Sequence, residues 1–250
     1  GMDEGFDASI ITNDRPFPSV ALTSVPEVKS LLTTTTGICL ALCGLFAVSA
    51  LRGESNKRRM SSLLVYNLAM WFAYFLVEIM LIQAYHGVFL SPSASLVLVL
   101  AVLLIGSGFG GLMAGRLPLL VATTVLAPLL LIGVRLPDWM IAAGWSPTVF
   151  AGTTVAVVFA IGLMMGVFFP AGLRLASQSY MRGKIPHLCA VNSVAGSLAT
   201  VVSLYLGIRM GYSWTLFIAV VLYAFASVTC RRQSGLPHPP QPAPPAAEVP

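Results

Sequence analysis

The chain has 250 residues, 57% of them hydrophobic and 9% charged, with a mean hydropathy of +0.86 and a net charge of +5. Soluble domains carry roughly 25% charged residues, so this composition excludes a soluble globular protein as the main body of the chain. The positive charge is no nucleic-acid footprint, because the basic residues fall singly or in short groups between apolar runs.

Residues 1–30 form a polar segment that begins acidic (GMDEGFDASIITNDRPFPS) and lacks the basic, apolar, small-residue order of a secretory signal. A bilayer core of about 30 Å then needs about 20 apolar residues per helix. Seven stretches meet that length: 31–51, 63–85, 94–115, 117–134, 148–177, 188–209 and 213–230. The expected fold is an all-α membrane protein, a bundle of about seven transmembrane helices over residues 31–230. The third and fourth are split only by Arg116 and Pro118, which predicts a tight hairpin. The fifth contains Pro170, which predicts a kink or break near its end. Residues 231–250 are proline-rich and are expected to be disordered or polyproline II. Cys39 and Cys43 lie in an apolar run without His or acidic neighbours, so they read as filler, and the four cysteines make no disulfide framework.

Lysine and arginine set the orientation. Arg52, Lys57, Arg58, Arg59, Arg116, Arg174, Arg182, Lys184, Arg231 and Arg232 fall on one side, and Arg15, Lys29, Arg135 and Arg209 on the other. The richer side is the cytoplasmic one, which puts the C-terminus inside a plasma (inner) membrane and the N-terminal segment outside.

Glu78 interrupts the second apolar run. Insertion scales charge about 2.5–3.5 kcal/mol for an Asp at a helix centre, so an acid here is expected to face protein or a water-filled cavity. At 100° per residue, Asn67, Trp71, Tyr74 and Tyr85 project within about 40° of it, forming one polar and aromatic stripe. Glu78 lies about 10 Å from the outer end of its helix. Arg135 and Arg209, at outer helix ends, are its candidate partners by snorkelling, whereas Arg174 belongs to the inner side. Two readings stand: a carboxyl group that binds a cation or carries a proton, or one that accepts hydrogen bonds and stabilises the bundle.

Gly106, Gly108 and Gly111 match G-x-G-x-x-G, but inside a membrane helix there is no preceding strand, so a dinucleotide site is rejected. Gly106/Gly110, Gly111/Gly115, Gly162/Gly166 and Gly207/Gly211 read instead as small-x-x-x-small pairs that let helices approach. Near the inner side, Arg174 and Asn192 fall at similar depth. They either hold a broken helix end or an anionic ligand, or serve as an interface anchor and an interhelical hydrogen bond. His86, His187 and His238 have no metal-ligand spacing, and no catalytic residue or cofactor site is legible in this chain.

An ordered set of motifs resembles the C-terminal membrane domain of bacterial spermidine-synthase-like multispanning proteins. Residues 12–17 read TNDRPF, 77–83 VEIMLIQ, 107–116 SGFGGLMAGR, 168–174 FFPAGLR and 189–197 CAVNSVAGS, leading to Gly211-Tyr212. The family's Trp-Ala pair falls at His187-Leu188-Cys189-Ala190, and one expected glycine is Ser193. The resemblance implies a soluble Rossmann domain of the S-adenosylmethionine and aminopropyltransferase kind, upstream or separate, as a partner, and no nucleic acid. This chain would then be the membrane part of a polyamine-biosynthetic transferase, anchoring the soluble domain or giving it access to a membrane or transported substrate. A cytosolic domain ending at Phe17 would start the first helix from inside, against the charge count. The alternatives are a transporter-like half with Glu78 as the coupling or binding carboxylate, and a structural scaffold.

Overall fold

A computed structural model describes residues 26–52, 57–86, 92–177 and 185–234. Every element among them is helical: α1 (Pro26–Leu51), α2 (Lys57–His86), α3 (Pro92–Met113), α4 (Leu119–Ala142), α5 (Pro147–Gly166), α6 (Phe168–Ser177) and α7 (Ile185–Ser234). Seven stretches are long and apolar enough to cross a bilayer, because α5 and α6 make one span and α7 makes two. The chain is a multispanning membrane protein. The helix α1 begins inside the segment expected to be polar, and α7 runs a turn into the expected tail. The motif at 12–17, His238 and most of the proline-rich tail lie outside the described residues.

The bundle is organised around α2, which packs against α1, α3, α4, α6 and α7, most extensively against α7. Its window is 56% buried, against 11% for the first span, so α2 is the central helix and α1 a peripheral one. Both ends of α7 return to the start of α2. Leu188 packs with Met60 and Leu63, and Gln233 Nε2 donates to the Arg59 carbonyl at 3.4 Å. The chain therefore reverses within α7, and it does so at Gly211, whose φ of 83° and ψ of 173° suit only a residue without a Cβ. Gly211 is thus the corner of α7, and the Gly207/Gly211 pair falls at this corner.

The α3–α4 connection, residues 114–118, is a short turn closed by Gly115, Arg116 and Leu117 amides donating to the Met113 carbonyl. The two helices nonetheless do not lie along each other, and α5 packs against both. The expected tight hairpin is therefore a splayed one. A five-residue connection fixes where two ends meet, not whether their sides are the best-matched surfaces.

Helix α4 extends to Ala142, eight residues beyond the expected stop at Val134, despite Pro128 and Pro137 inside it. Pro137 has no N–H, so the carbonyl one turn earlier, that of Gly133, loses its helical donor. The Tyr85 hydroxyl from α2 donates to that carbonyl at 3.0 Å. Membrane interiors offer no water to do this, so the neighbouring helix must. A second tyrosine of α2 does a related job. Tyr66 donates to the Phe168 carbonyl at 2.6 Å and lays its ring where a Cβ on Gly172 would go. It thereby pins the first turn of α6, just past the break at Val167.

Tyr85→Phe is expected to lower stability by about 1 kcal/mol, the scale of one interhelical hydrogen bond in a membrane protein. In a Pro137→Ala background the same change should cost close to nothing, because residue 137 then supplies the amide itself. Thermal unfolding of the four variants in detergent reads the coupling, and additive losses would contradict the assignment.

Candidate functional site

Trp71, Tyr74, Phe75 and Glu78 recur at the spacing of one helix face and point from α2 toward α3. Leu104, Ser107, Gly108 and Gly111 repeat that spacing on α3 and face them. Met165, Gly166, Phe169 and Pro170, at the α5–α6 break, close the third side. Between them lies a cleft of about 460 Å³. It extends from Met70 to Glu78, about 12 Å along α2, with Glu78 at the end nearer His86.

The polar groups are few. The Ser107 hydroxyl donates to the Leu104 carbonyl at 3.0 Å, and Tyr74 is its polar neighbour across the cleft. Tyr74 is also the polar neighbour of Glu78. Glu78 itself is buried, and no hydrogen bond or ion pair joins its carboxyl group to the described residues. Around it the rings form a cage wall. Trp71 stands 5.5 Å from Tyr74, 5.8 Å from Phe75 and 5.6 Å from Phe169, the last edge-on. The indole nitrogen of Trp71 is buried without a hydrogen-bond partner.

The stripe expected on α2 is therefore divided. Trp71 and Tyr74 stay with Glu78, but Asn67 turns back to donate to the Leu63 carbonyl at 2.9 Å, and Tyr85 is committed to Gly133. Angular projection treats a helix face as uniform, whereas each polar side chain bonds the nearest acceptor. Arg135 does not reach Glu78, because it is exposed and donates to the Ser213 hydroxyl at 3.4 Å. The side chain of Arg209 lies outside the described residues. Arg174 and Asn192 are not joined by a hydrogen bond. Arg174 is exposed with its guanidinium over Gly115, and the Asn192 side-chain oxygen is buried without a partner. Sequence reasoning missed Ser107, read only as part of a glycine stretch, and Phe75 and Phe169. The signal was there in the matched i, i+3, i+4, i+7 spacing of residues 71–78 and 104–111.

The glycines explain why the cleft's walls meet. A Cβ on Gly106 or Gly110 would strike the Phe159 or Leu163 carbonyl of α5, and a Cβ on Gly162 or Gly166 the Leu103 or Ser107 carbonyl of α3. These four form one seam of backbone against backbone between α3 and α5. The Gly111/Gly115 pair does not share in it. Gly111 meets the Pro170 ring at an ordinary 3.6 Å, and Gly115 lies past the end of α3 beneath Arg174.

No family model, curated protein or solved structure matches the chain.

Gly166→Ala should cost about 1–3 kcal/mol, since a Cβ there meets main chain that cannot rotate away. Gly108→Ala, on the same helix as the seam but with open space at its Cβ, should cost nothing or gain about 1 kcal/mol in helix propensity. Paired melting curves test the contrast, and equal losses would contradict the seam.

Proposed function

We propose that this membrane domain binds an organic cation bearing an amine in the Glu78 cleft. The observation that carries the reading is a buried carboxyl group that opens on a cavity, with aromatic faces beside it and no cationic side chain supplied by the described residues. An amine brings the charge that the fold does not. Aromatic faces add cation–π attraction of about 0.5–2 kcal/mol, larger where water is excluded. The volume lies within the usual range for small-molecule sites, about 300–1,000 Å³.

The same cleft serves two settings. In one, the chain is a transporter-like unit and Glu78 its binding carboxylate. In the other, it is the membrane part of a spermidine-synthase-like protein and presents an amine to a soluble transferase domain. The second is supported by where the motifs fall. Glu78, Ser107, Gly111, Phe169 and Pro170 come from three of the motif segments and line one cleft, and Gly196, from a fourth, packs beneath the Phe75 ring. Motifs that merely anchored a soluble domain would have no reason to converge.

Equilibrium binding of labelled spermidine to the purified chain tests the cleft. Glu78→Gln should weaken binding at least tenfold, about 1.4 kcal/mol, and leave the helical content unchanged. Undiminished binding in that variant would refute the site. Uptake into proteoliposomes then separates the settings, since transport requires release on the far side.

We further propose that the chain resides in a plasma (inner) membrane with its C-terminus in the cytoplasm. Support comes from Arg58, Arg59, Arg231 and Arg232, which gather at one end of α2 and α7. A fluorescent protein fused after Pro250 should fold and glow, and an alkaline phosphatase fusion there should be inactive.

A further inference from the structure

The second large cavity lies at the opposite end of α2 from Glu78. Helix α2 opens with Lys57, Arg58, Arg59, Met60, Ser61 and Ser62, and α7 closes with Thr229, Cys230, Arg231, Arg232 and Gln233. The Gln233 to Arg59 hydrogen bond holds these ends together. Between them is a cavity of about 700 Å³. Arg58, Arg59 and Arg232 line it, with the hydroxyls of Ser61 and Ser62. Arg58 and Arg232 are exposed at the rim, and Arg59 is buried deeper. The Thr229 hydroxyl is not a donor here, because it bonds the Phe225 carbonyl at 2.9 Å.

The walls change character with depth. Seven residues inward from Arg58 is Val65, and seven inward from Arg232 is Phe225, about 10 Å along each helix. Both line the cavity, and they are 41% and 48% exposed. A basic rim thus continues into an apolar trough on two helices in register. The first turn of α2 adds amide N–H groups with no intrahelical acceptor, which favour negative charge. In sequence, the connection 53–56 contributes one acid, Glu54, against Lys57, Arg58, Arg59, Arg231 and Arg232, so the end keeps a positive balance.

We propose that this cavity binds an anionic phospholipid, with its phosphodiester among Arg58, Arg59 and Arg232 and an acyl chain along Val65 and Phe225. Guanidinium groups match phosphate oxygens in geometry as well as charge. Basic pockets between membrane helices are suited to such headgroups. Free phosphate shares the rim chemistry but has no use for the trough. The site is separate from the Glu78 cleft: no residue lines both, and Arg58 and Glu78 stand twenty positions, about 30 Å, apart along α2.

The test uses the full chain in phosphatidylcholine nanodiscs doped with fluorescent phosphatidylglycerol. Phosphatidylglycerol should bind in preference to a phosphatidylcholine probe. Arg58→Gln and Arg232→Gln should each weaken it about fivefold, as expected for about one surface charge each, and the pair should weaken it more than either alone. Arg116→Gln, an exposed arginine outside the cavity, should leave it unchanged. Equal retention of the two lipids would overturn the proposal, as would displacement of phosphatidylglycerol by an equal concentration of inorganic phosphate. A measurement on the unaltered chain stands independent of variant folding. Photoactivatable phosphatidylglycerol should crosslink to residues 58–65 and 225–232, and labelling confined to other helices would refute the site.

Discussion

Hydrocarbon donates no hydrogen bond, so every carbonyl freed inside the membrane must find a donor in the protein. That constraint explains why α2 sits at the centre. The Gly133 carbonyl, orphaned by Pro137, takes the Tyr85 hydroxyl, and Tyr66 adds a second interhelical bond, to the Phe168 carbonyl beside the α5–α6 break. These two bonds lie near opposite ends of α2 and tie it to α4 and to α6. Between them α2 buries Met70, Ala73, Val77 and Leu81, the middle of the core. A helix placed so is committed on most of its circumference. Where it faces the α3–α5 seam, the commitment lapses and a cleft remains.

The cleft follows from the glycine seam. Backbone contact through Gly106, Gly110, Gly162 and Gly166 draws α3 and α5 together closely. Once they are joined, the long side chains they present toward the cleft, Leu104 and Met165, leave the space before α2 unfilled. Gly108 and Gly111 face the cavity with no Cβ, and Pro170, beside the α5–α6 break, lines another side of it. Glu78 therefore opens on space rather than on packed side chains. A larger residue at Gly108, whose Cβ meets open space, would fill the cleft without touching the seam, so cavity and contact are separable properties of one stretch.

The spans were legible because membrane length and apolarity are local properties. Pro170 marked a real break, for the same reason. What escaped were pairings between distant segments. Tyr85 looked like part of the Glu78 face, but its partner is decided by Pro137, 52 positions away in sequence. Asn67 was lost to its own helix by a bond one turn back. The α3–α4 hairpin failed because loop length says nothing of side-to-side fit, and that fit went to α5 through the glycines. Ser107 was visible only once residues 71–78 and 104–111 were laid face to face.

Helix α2 carries two chemistries of opposite sign on one rigid rod. Its start is basic and exposed, and its second half holds a carboxyl group at a cavity walled by aromatic rings. The hydrogen bonds of Tyr66 and Tyr85 hold the stretch that contains Glu78, and Tyr66 stands between Glu78 and the arginines. A lipid drawn to Arg58 and Arg232 would load the same end of α2 that Gln233 joins to α7, and α7 in turn presses Gly196 beneath Phe75 in the cleft wall. The two sites therefore share a physical connection through packed backbone, while direct charge interaction between Arg58 and Glu78 falls off over the roughly 30 Å between them. Any influence of one on the other must travel as a shift of α7 against α2, the most extensive contact in the bundle.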